Sequence, residues 1–376
     1  MVKEDRISYL DNLRFSLVAL VICHHANAAY GSIGGWSYTV HERSGFISEL
    51  LANMFAGITQ AFFMSSFFMI SAYFTAATFE KKGPVKFVRR RLVRLGIPLL
   101  VYFFVLSLVL RYFIFKFEGR DGVALSDFFL NPRYTDYRSM GPLWFAFTLL
   151  IFEGAYLIQR GIGSLLDRKP RTYPLPNDRQ VLAFILGIGV FTFFWRMLFP
   201  LTAHVFHLRL AFFPLYVAMF TFGVIAWRSG WFSQLTARQA NRWFKAALVA
   251  MAVMPLVMLV NQLWGGNAYS FWERLSWQSL AYSMWEPFIC VGVNIKLIVF
   301  FRERFNFSNS LTKTMARSSF TAYITHAFFI VFLTYAFTFF SLGRLPEILL
   351  MWPIAVTACF LTATVISRAP LLRRVL

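Results

Sequence analysis

Ten long apolar stretches run through this chain of 376 residues and decide which solvent it folds in. Each stretch has close to the 20 residues that an α-helix needs to cross roughly 30 Å of hydrocarbon. Only 14% of the residues are charged, against about 25% in a typical soluble domain. Inside a bilayer each segment has to satisfy its own backbone polar groups, which favours helices. The sequence therefore predicts an all-α polytopic membrane protein, with a single integral-membrane domain over 1–376 and about ten transmembrane helices.

The predicted spans are the following: 8–29, 58–79, 95–115, 141–159, 181–199, 210–227, 244–263, 276–300, 319–339 and 347–366. Residues 46–57 are also apolar and predict a short interfacial helix ahead of the second span. The longest outer segment, 116–140, carries several charged residues and predicts a polar lid or a substrate contact.

The positive charge of the chain follows its predicted topology. The net charge is +20, but the basic residues stand in blocks beside apolar spans, which argues for a lipid bilayer and against nucleic acid as the partner. The blocks fall in alternate loops at 81–94, 160–179, 228–245, 302–317 and 368–374, and the outer segment 116–140, with four basic residues, is the exception. Cytoplasmic loops are enriched in Lys and Arg. With an even number of spans, this pattern predicts that both termini are cytoplasmic.

The first span contains an arginine and a histidine on one helical face. Eleven steps of 100° from Arg14 to His25 end only about 20° off three full turns, roughly 16 Å along the axis. Asp11 lies on the same face and can pair with Arg14, whereas His24 points about 80° away. This stripe is predicted to run from the cytoplasmic interface to about mid-membrane. An interfacial ion pair with a buried, hydrogen-bonded histidine explains it, and so does an acid–base site.

Two other helices carry polar side chains at helical spacing. Arg91 and Arg94 stand i, i+3 where the third span begins, and the planar donor fork of arginine suits phosphate; the alternative is that they only set the topology. Ser319, Tyr323 and His326 stand i, i+4 and i+7 and must face protein or water rather than lipid. Hydrogen bonding between helices explains that second stripe as well as a site does.

Depth in the membrane connects these groups. Four side chains are predicted in the middle or cytoplasmic half of the bilayer: His25, Ser71, Glu286 and His326. Three arginines are predicted nearer the cytoplasmic surface: Arg14, Arg91 and Arg94. A carboxylate at the depth of Glu286 has to be protonated or paired with a cation. A site with cations at its cytoplasmic opening and a histidine at its inner end suits an anionic donor from the cytoplasm.

Metal binding is not predicted. His204 and His207, in HVFHLRL, have the spacing of a metal pair but lack a third ligand nearby. The three cysteines lie in apolar stretches without paired spacing, which indicates neither a disulfide framework nor a zinc site.

Several segments resemble the membrane acyltransferase family 3. SYLDNLRFSLVALVICHH, with Arg14 and His25, resembles the first-helix motif of that family. FFMISAYF, with Ser71, is similar to a second segment, although Ala72 stands where the family usually has glycine. VRRRLVRLGIP is similar to its Arg-x-x-Arg pattern. GPLWFAFTLL and SFTAYITHAFFI are similar to its Trp-Phe segment, through Trp144, and its Tyr-x-x-His segment. The resemblance covers nearly the whole chain and points to the stand-alone branch, and within it to a glucan-biosynthesis group.

That resemblance implies a reaction and a location. The expected reaction is transfer of an acetyl or succinyl group from cytoplasmic acyl-CoA, the co-substrate, to a hydroxyl of a glycan or other acceptor, with no bound cofactor. The expected location is a bacterial-type cytoplasmic (inner) membrane, crossed many times. His25 is then the catalytic base or acyl carrier, assisted by Arg14, while Arg91 and Arg94 hold the donor. The supporting residues are Asp11, Ser71, Trp144, Glu286, Ser319, Tyr323 and His326.

A transporter or flippase of a small anionic or glycan substrate is the alternative function. Its intramembrane charges would line a pathway, and inverted repeats or paired broken helices would favour it. The sequence shows neither feature.

Overall fold

The computed structural model describes residues 7–40, 45–166, 170–266, 270–271, 275–340 and 342–369. The regular structure in these ranges is helical, apart from one isolated β-bridge between Val205 and Leu208. The helices before the longest loop are α1 (Ser8–Ala28), α2 (Phe46–Lys82) and α3 (Pro84–Phe117). The remaining helices are α4 (Asp127–Leu130), α5 (Pro132–Thr135), α6 (Trp144–Leu165), α7 (Asp178–Leu198), α8 (Phe213–Ser229), α9 (Trp231–Gln234), α10 (Ala237–Leu263), α11 (Trp277–Arg304), α12 (Ser310–Phe337) and α13 (Arg344–Ile366).

Nine helices in the described ranges are long and apolar enough to cross a membrane. They are α2, α3, α6, α7, α8, α10, α11, α12 and α13. The one predicted span without a counterpart among the nine is 8–29. It forms α1, which has 21 residues. Polar side chains, with Asn12, Arg14 and two adjacent histidines among them, lower its mean hydropathy. The predicted class of an all-α polytopic membrane protein is confirmed; the cytoplasmic position of both termini stays a prediction.

The second helix is longer than its predicted span. α2 has 37 residues and begins at Phe46, so the separate interfacial helix predicted at 46–57 is wrong. No proline interrupts the segment, and a single Gly57 costs only about 1 kcal/mol in a helix. The helix therefore continues where the sequence analysis placed a break.

The third helix also begins earlier than predicted, and it is irregular. α3 begins at Pro84, and two of its turns, Leu92–Gly96 and Tyr102–Leu106, are π-helical. Pro98 lies between them, and its ring lacks an N–H and crowds the carbonyl of the preceding turn. A π-turn is the usual way for a helix to absorb such a defect. Arg91 and Arg94 therefore lie within α3 rather than at its beginning.

The chain divides into two compact units, each built from separate segments. Unit 1 comprises 1–13, 60–87 and 151–307. In it α11 packs against α7 and α10 around an apolar cluster of Val181, Ile185, Trp243 and Val291.

Unit 2 comprises 14–59, 88–150 and 308–376. In it α12 packs against α13 and against the second half of α3. An apolar cluster of Leu110, Ile114, Ala327 and Val331 joins α3 to α12, and Trp36 and Tyr38 pack against it. The loop after α1 is thereby held next to both helices. The single domain over 1–376 stays a prediction.

Candidate active site

His25 lies at the end of its helix. It stands in the last turn of α1, eleven residues and about 16 Å beyond Arg14; its depth near mid-membrane stays a prediction. The chain that follows stays inside the protein, since Ala29, Tyr30 and Ser32 are at most 3% exposed. Non-helical backbone at such a place is tolerated where protein surrounds it.

Two predicted residues, His25 and His326, are brought into direct contact in unit 2. His25 Nδ1 lies 2.9 Å from His326 Nε2. The two rings are nearly parallel, with centroids 5.0 Å apart. His326 Nδ1 lies 2.6 Å from the carbonyl oxygen of Tyr323, and His326 is fully buried. The Tyr323 hydroxyl donates to the carbonyl of Pro142, which anchors this part of α12 to the turn that precedes α6.

The hydrogen-bond chain sets which nitrogen carries each proton. The Tyr323 carbonyl can only accept, so His326 Nδ1 carries a proton and donates it. In a neutral ring, Nε2 of His326 is then the acceptor, and His25 Nδ1 is the donor. Neutral His25 is left with its lone pair on Nε2. That is the form of imidazole that removes a proton from a hydroxyl or attacks a carbonyl carbon.

The Trp36 ring also packs against His25, and it lies 5.9 Å from the His326 ring. It stacks on His25 at 4.3 Å between centroids and 28° between planes. The indole N–H of Trp36 is buried and has no hydrogen-bond partner among the described residues. Buried donors are normally paired, so this N–H is a candidate contact for a substrate oxygen.

His24 has different surroundings from its neighbour. It is 6% exposed, and its Nδ1 lies 2.7 Å from Thr59 Oγ1. The Thr59 hydroxyl donates to the carbonyl of Phe55, so His24 Nδ1 donates to Thr59. This bond ties α1 to α2 within unit 2, and it agrees with the predicted angle between His24 and His25.

A cavity of about 280 Å³ lies beside Trp36, the residue that stacks on His25, although neither histidine lines it. Three lining residues connect it to the site: Trp36, Ala327, which follows His326 in the chain, and Pro142, whose carbonyl accepts from Tyr323. The rest of the lining is Ser37, Tyr102, Ser107, Leu110, Arg111, Ile114, Tyr137, Ser139 and Gly141. Arg111 is the one charged side chain of this lining. Its guanidinium lies 4.7 Å from the Tyr137 ring centroid, and its buried Nε has no partner among the described residues.

The predicted donor arginines lie on the same helix as part of this cavity. Arg91 and Arg94 are half-buried, whereas Arg89 and Arg90 beside them are exposed. Arg111 stands 17 residues beyond Arg94, or about 25 Å along α3. Unit 2 therefore carries the cation pair and the cavity near opposite ends of one helix; the roles of Arg14, Arg91 and Arg94 stay predictions.

The other supporting residues of unit 2 lie in ordinary helical surroundings. Ser319 is buried, and its hydroxyl donates to the carbonyl of Ala316 at 3.0 Å. Trp144 is the half-buried first residue of α6. Asp11 belongs to unit 1, and its pairing with Arg14 stays a prediction.

Glu286 and Ser71 belong to unit 1. Of the two states predicted for Glu286, the structure shows the paired one: its carboxylate bonds Arg196, and both side chains are 3% exposed. The Arg196 guanidinium also donates to Ser283 at 2.9 Å and lies 4.9 Å from the Tyr282 ring centroid. Breaking a buried ion pair leaves an uncompensated charge, so this contact has a structural role. Ser71 is half-buried.

No group of three His, Cys, Asp or Glu side chains in the described ranges is placed to hold a metal ion. His204 instead accepts a hydrogen bond from Arg209 Nε at 3.0 Å. Desolvation, and secondly the charge of Arg209, lower the pKa of His204.

Sequence reasoning missed four residues that shape this site and the ion pair: Trp36, Arg111, Tyr137 and Arg196. The one available signal was Trp36, a tryptophan in the glycine-rich loop GSIGGWSY after His25. The other three stand in an apolar helix or a mixed loop. Nothing in their spacing shows what they face.

The chain combines membrane-spanning helices, a histidine pair and a partly polar cavity. These are features of an integral membrane enzyme. Residues 7–368 match the family described as acyltransferase domain, acyltransferase family 3. The chain therefore belongs to this family and is an acyltransferase that transfers groups other than aminoacyl groups. It is 24% identical to glucans biosynthesis protein C of Escherichia coli K12 over 337 residues, 86% of this chain and 82% of the relative. The protein of that name from Escherichia coli O1:K1 / APEC is 25% identical over 338 residues, with the same coverage. No solved structure matches the chain.

Proposed function

We propose that this protein is a multi-pass O-acyltransferase of the bacterial cytoplasmic (inner) membrane. It moves an acetyl or succinyl group from cytoplasmic acyl-CoA to a hydroxyl of a glycan or other acceptor at or across the membrane. The name of the relatives supports a glycan acceptor. The observation that carries the proposal is the chain from His25 through His326 to the Tyr323 carbonyl.

In the direct reaction, His25 acts as general base. Its Nε2 takes the proton of the acceptor hydroxyl while that oxygen forms a bond to the thioester carbonyl carbon. The C–S bond then breaks, and the proton on His25 passes to the leaving CoA thiolate. The positive charge that forms on His25 is stabilised through its Nδ1–H bond to His326, much as a carboxylate orients the histidine of a triad.

In the relayed reaction, His25 Nε2 attacks the thioester itself. An acyl-imidazolium forms, because Nδ1 keeps its proton, and CoA leaves as the thiolate. The acceptor hydroxyl next attacks the acyl carbon, the bond to Nε2 breaks and returns neutral His25, and the hydroxyl proton neutralises the CoA thiolate. Both routes use the same lone pair, and labelled acyl-enzyme separates them.

The cavity beside Trp36 is proposed as the site where acyl group and acceptor meet. Aromatic faces at Trp36 and Tyr137 and hydroxyls at Ser37 and Ser139 suit a sugar ring with its hydroxyls. The Trp36 N–H, which has no partner among the described residues, suits the oxygen of a thioester carbonyl, where negative charge develops. Arg111 is placed to pair with the carboxylate of a succinyl group. A comparison of succinyl-CoA with acetyl-CoA in wild type and Arg111→Gln decides which donor the cavity accepts.

Purified protein in detergent tests the proposal. We expect labelled acetyl-CoA or succinyl-CoA, supplied with a glucan, to release CoA and label the glucan. His25→Ala should abolish both signals while the folded yield stays near that of wild type. His24→Ala is the matched control, because it removes the adjacent imidazole and its bond to Thr59; it should retain activity per folded molecule. Equal transfer by wild type and His25→Ala would exclude the assigned role.

The transporter or flippase alternative has one supporting observation. Two π-helical turns and Pro98 interrupt α3, and transporters use broken helices at their substrate sites. Proteoliposomes separate the two functions, because a flippase moves labelled glycan without acyl-CoA and a transferase releases CoA.

A further inference from the structure

A groove of about 1310 Å³ lies in unit 1 between α6 and α8. Its walls present apolar side chains to the outside: Ile151 is 45% exposed, Ile158 66%, Ile162 52% and Val217 47%. Apolar side chains exposed on a membrane-spanning helix face lipid tails, which are as apolar as they are. The groove therefore opens sideways, toward the hydrocarbon of the bilayer.

One end of the groove is cationic. Arg160 near the end of α6, Arg228 in the last turn of α8 and Arg171 between these helices all line it, and no carboxylate of the described residues does. Glu80 neutralises Arg160 at 2.9 Å. Within the described ranges, no carboxylate pairs with Arg228, which donates to the neutral Tyr156 hydroxyl at 3.0 Å and keeps a buried Nε without a partner.

The segment that carries Arg171 is tied to the end of α8 and to α9. The backbone N–H of Tyr173 donates to Ser229 Oγ at 3.0 Å, and the Trp231 indole donates to the Tyr173 carbonyl at 2.9 Å. Arg171 is exposed, and no carboxylate among the described residues pairs with it. Within the described residues, two arginines without a carboxylate partner thus lie at the end of an apolar groove.

We propose that this groove binds one anionic phospholipid. Its phosphodiester pairs with Arg228 and Arg171, and an acyl chain lies along Ile158, Ile151 and Val217. The distance from Arg160 to Ile151 is about 14 Å along α6, which matches one leaflet of a hydrocarbon core roughly 30 Å thick. A neutral lipid leaves the arginines unused, and a soluble anion leaves the apolar walls unused. Basic pockets between membrane helices are known to hold anionic head groups.

The predicted topology supports this ligand. Arg160, Arg171 and Arg228 belong to the basic blocks at 160–179 and 228–245, which are predicted to be cytoplasmic. The proposal does not depend on the acyl-transfer proposal, because these residues belong to unit 1 and take no part in the proposed chemistry.

Native mass spectrometry of the delipidated full chain tests the site. Phosphatidylglycerol is titrated against phosphatidylcholine with the same acyl chains. We expect wild type to bind phosphatidylglycerol about tenfold more tightly than phosphatidylcholine, since one hydrogen bond to a charged group changes an affinity by about that factor. The double variant Arg171→Gln/Arg228→Gln should lose this preference. Arg238 is an exposed arginine that is predicted on the same cytoplasmic side but does not line the groove. Its variant Arg238→Gln should keep the preference.

A second variant guards against loss of folding in the first. Thr221 is exposed and lines the groove, so Thr221→Trp should fill the apolar part and weaken both lipids. The proposal is overturned if wild type binds the two lipids equally, or if Arg238→Gln removes the preference as fully as the double variant. It is also overturned if inorganic phosphate displaces phosphatidylglycerol at equal concentration, since the site is then one for a soluble anion.

Discussion

The two ring nitrogens of His25 have different partners, and this difference defines the proposed chemistry. Nδ1 is committed to His326, at 2.9 Å, and Nε2 keeps the lone pair. Helical periodicity correctly separates His25 from His24, because the angle between neighbours on a helix is local. It does not reveal that His25 and His326, 301 positions apart, form a pair.

His326 should act as a positioning residue. We expect His326→Ala to lower kcat by about 10²-fold or more, because His25 loses the partner that orients its ring and shares its charge. The KM for acyl-CoA should change little, since His326 is buried beneath His25. His326→Gln, whose amide can still bond His25, should recover part of the kcat. The measurement is steady-state release of CoA. Thermal unfolding is the control, because a general loss of folding would lower the unfolding midpoint of both variants alike.

Arg91 and Arg94 should bind the phosphates of the donor. One lost hydrogen bond to a charged group costs about 1.5–3 kcal/mol, so Arg91→Gln or Arg94→Gln should weaken acyl-CoA binding about ten- to hundredfold. Exposed Arg89 and Arg90 are matched controls on the same helix, and their glutamine variants should bind like wild type. Calorimetry in detergent measures this affinity independently of topology. If all four variants bind equally, these arginines only set the orientation of the chain.

At the scale of helices, α2 and α8 approach closely where both carry small residues. A Cβ added at Gly223 would collide with the carbonyl oxygen of Met69 and lie 2.8 Å from the Cβ of Ala72. Small residues allow such approach between membrane helices. The glycine that the family usually has at the position of Ala72 is thus not required here, because Gly223 faces it and supplies the space.

Gly223→Ala should therefore destabilise unit 1. We expect a loss of about 1–3 kcal/mol, the usual cost of forcing atoms into a close-packed contact. Gly187→Ala is the matched control, because a Cβ at Gly187 on α7 meets nothing within 4 Å. Thermal unfolding in detergent should show a lower midpoint for the first variant and an unchanged or slightly raised one for the second. Equal midpoints would mean that α2 and α8 separate at little cost.

For the molecule as a whole, charge predicts the orientation in the membrane. The basic blocks fall in alternate loops, and Lys and Arg are retained on the cytoplasmic side. A phosphatase that is active only outside the cytoplasm should therefore be inactive when fused to either terminus. Fused after Gly35, in the loop next to Trp36, it should be active. Activity at a terminus would invert the topology and place Arg91 and Arg94 away from cytoplasmic acyl-CoA.

The sequence by itself determined that the chain folds in a bilayer, that it is helical, and where most helices lie. The reason is that a segment must be long enough to cross the bilayer and must pair its own backbone polar groups there, which few structures other than a helix achieve. It also determined which faces of α1 and α12 carry their polar residues, since those angles depend on local geometry alone. Only the tertiary structure decided which faces meet: His25 with His326, and Glu286 with Arg196. It also decided that Trp36 and Arg111 line one cavity. Such contacts join residues distant in the chain, and they depend on how whole helices pack, which no local spacing records.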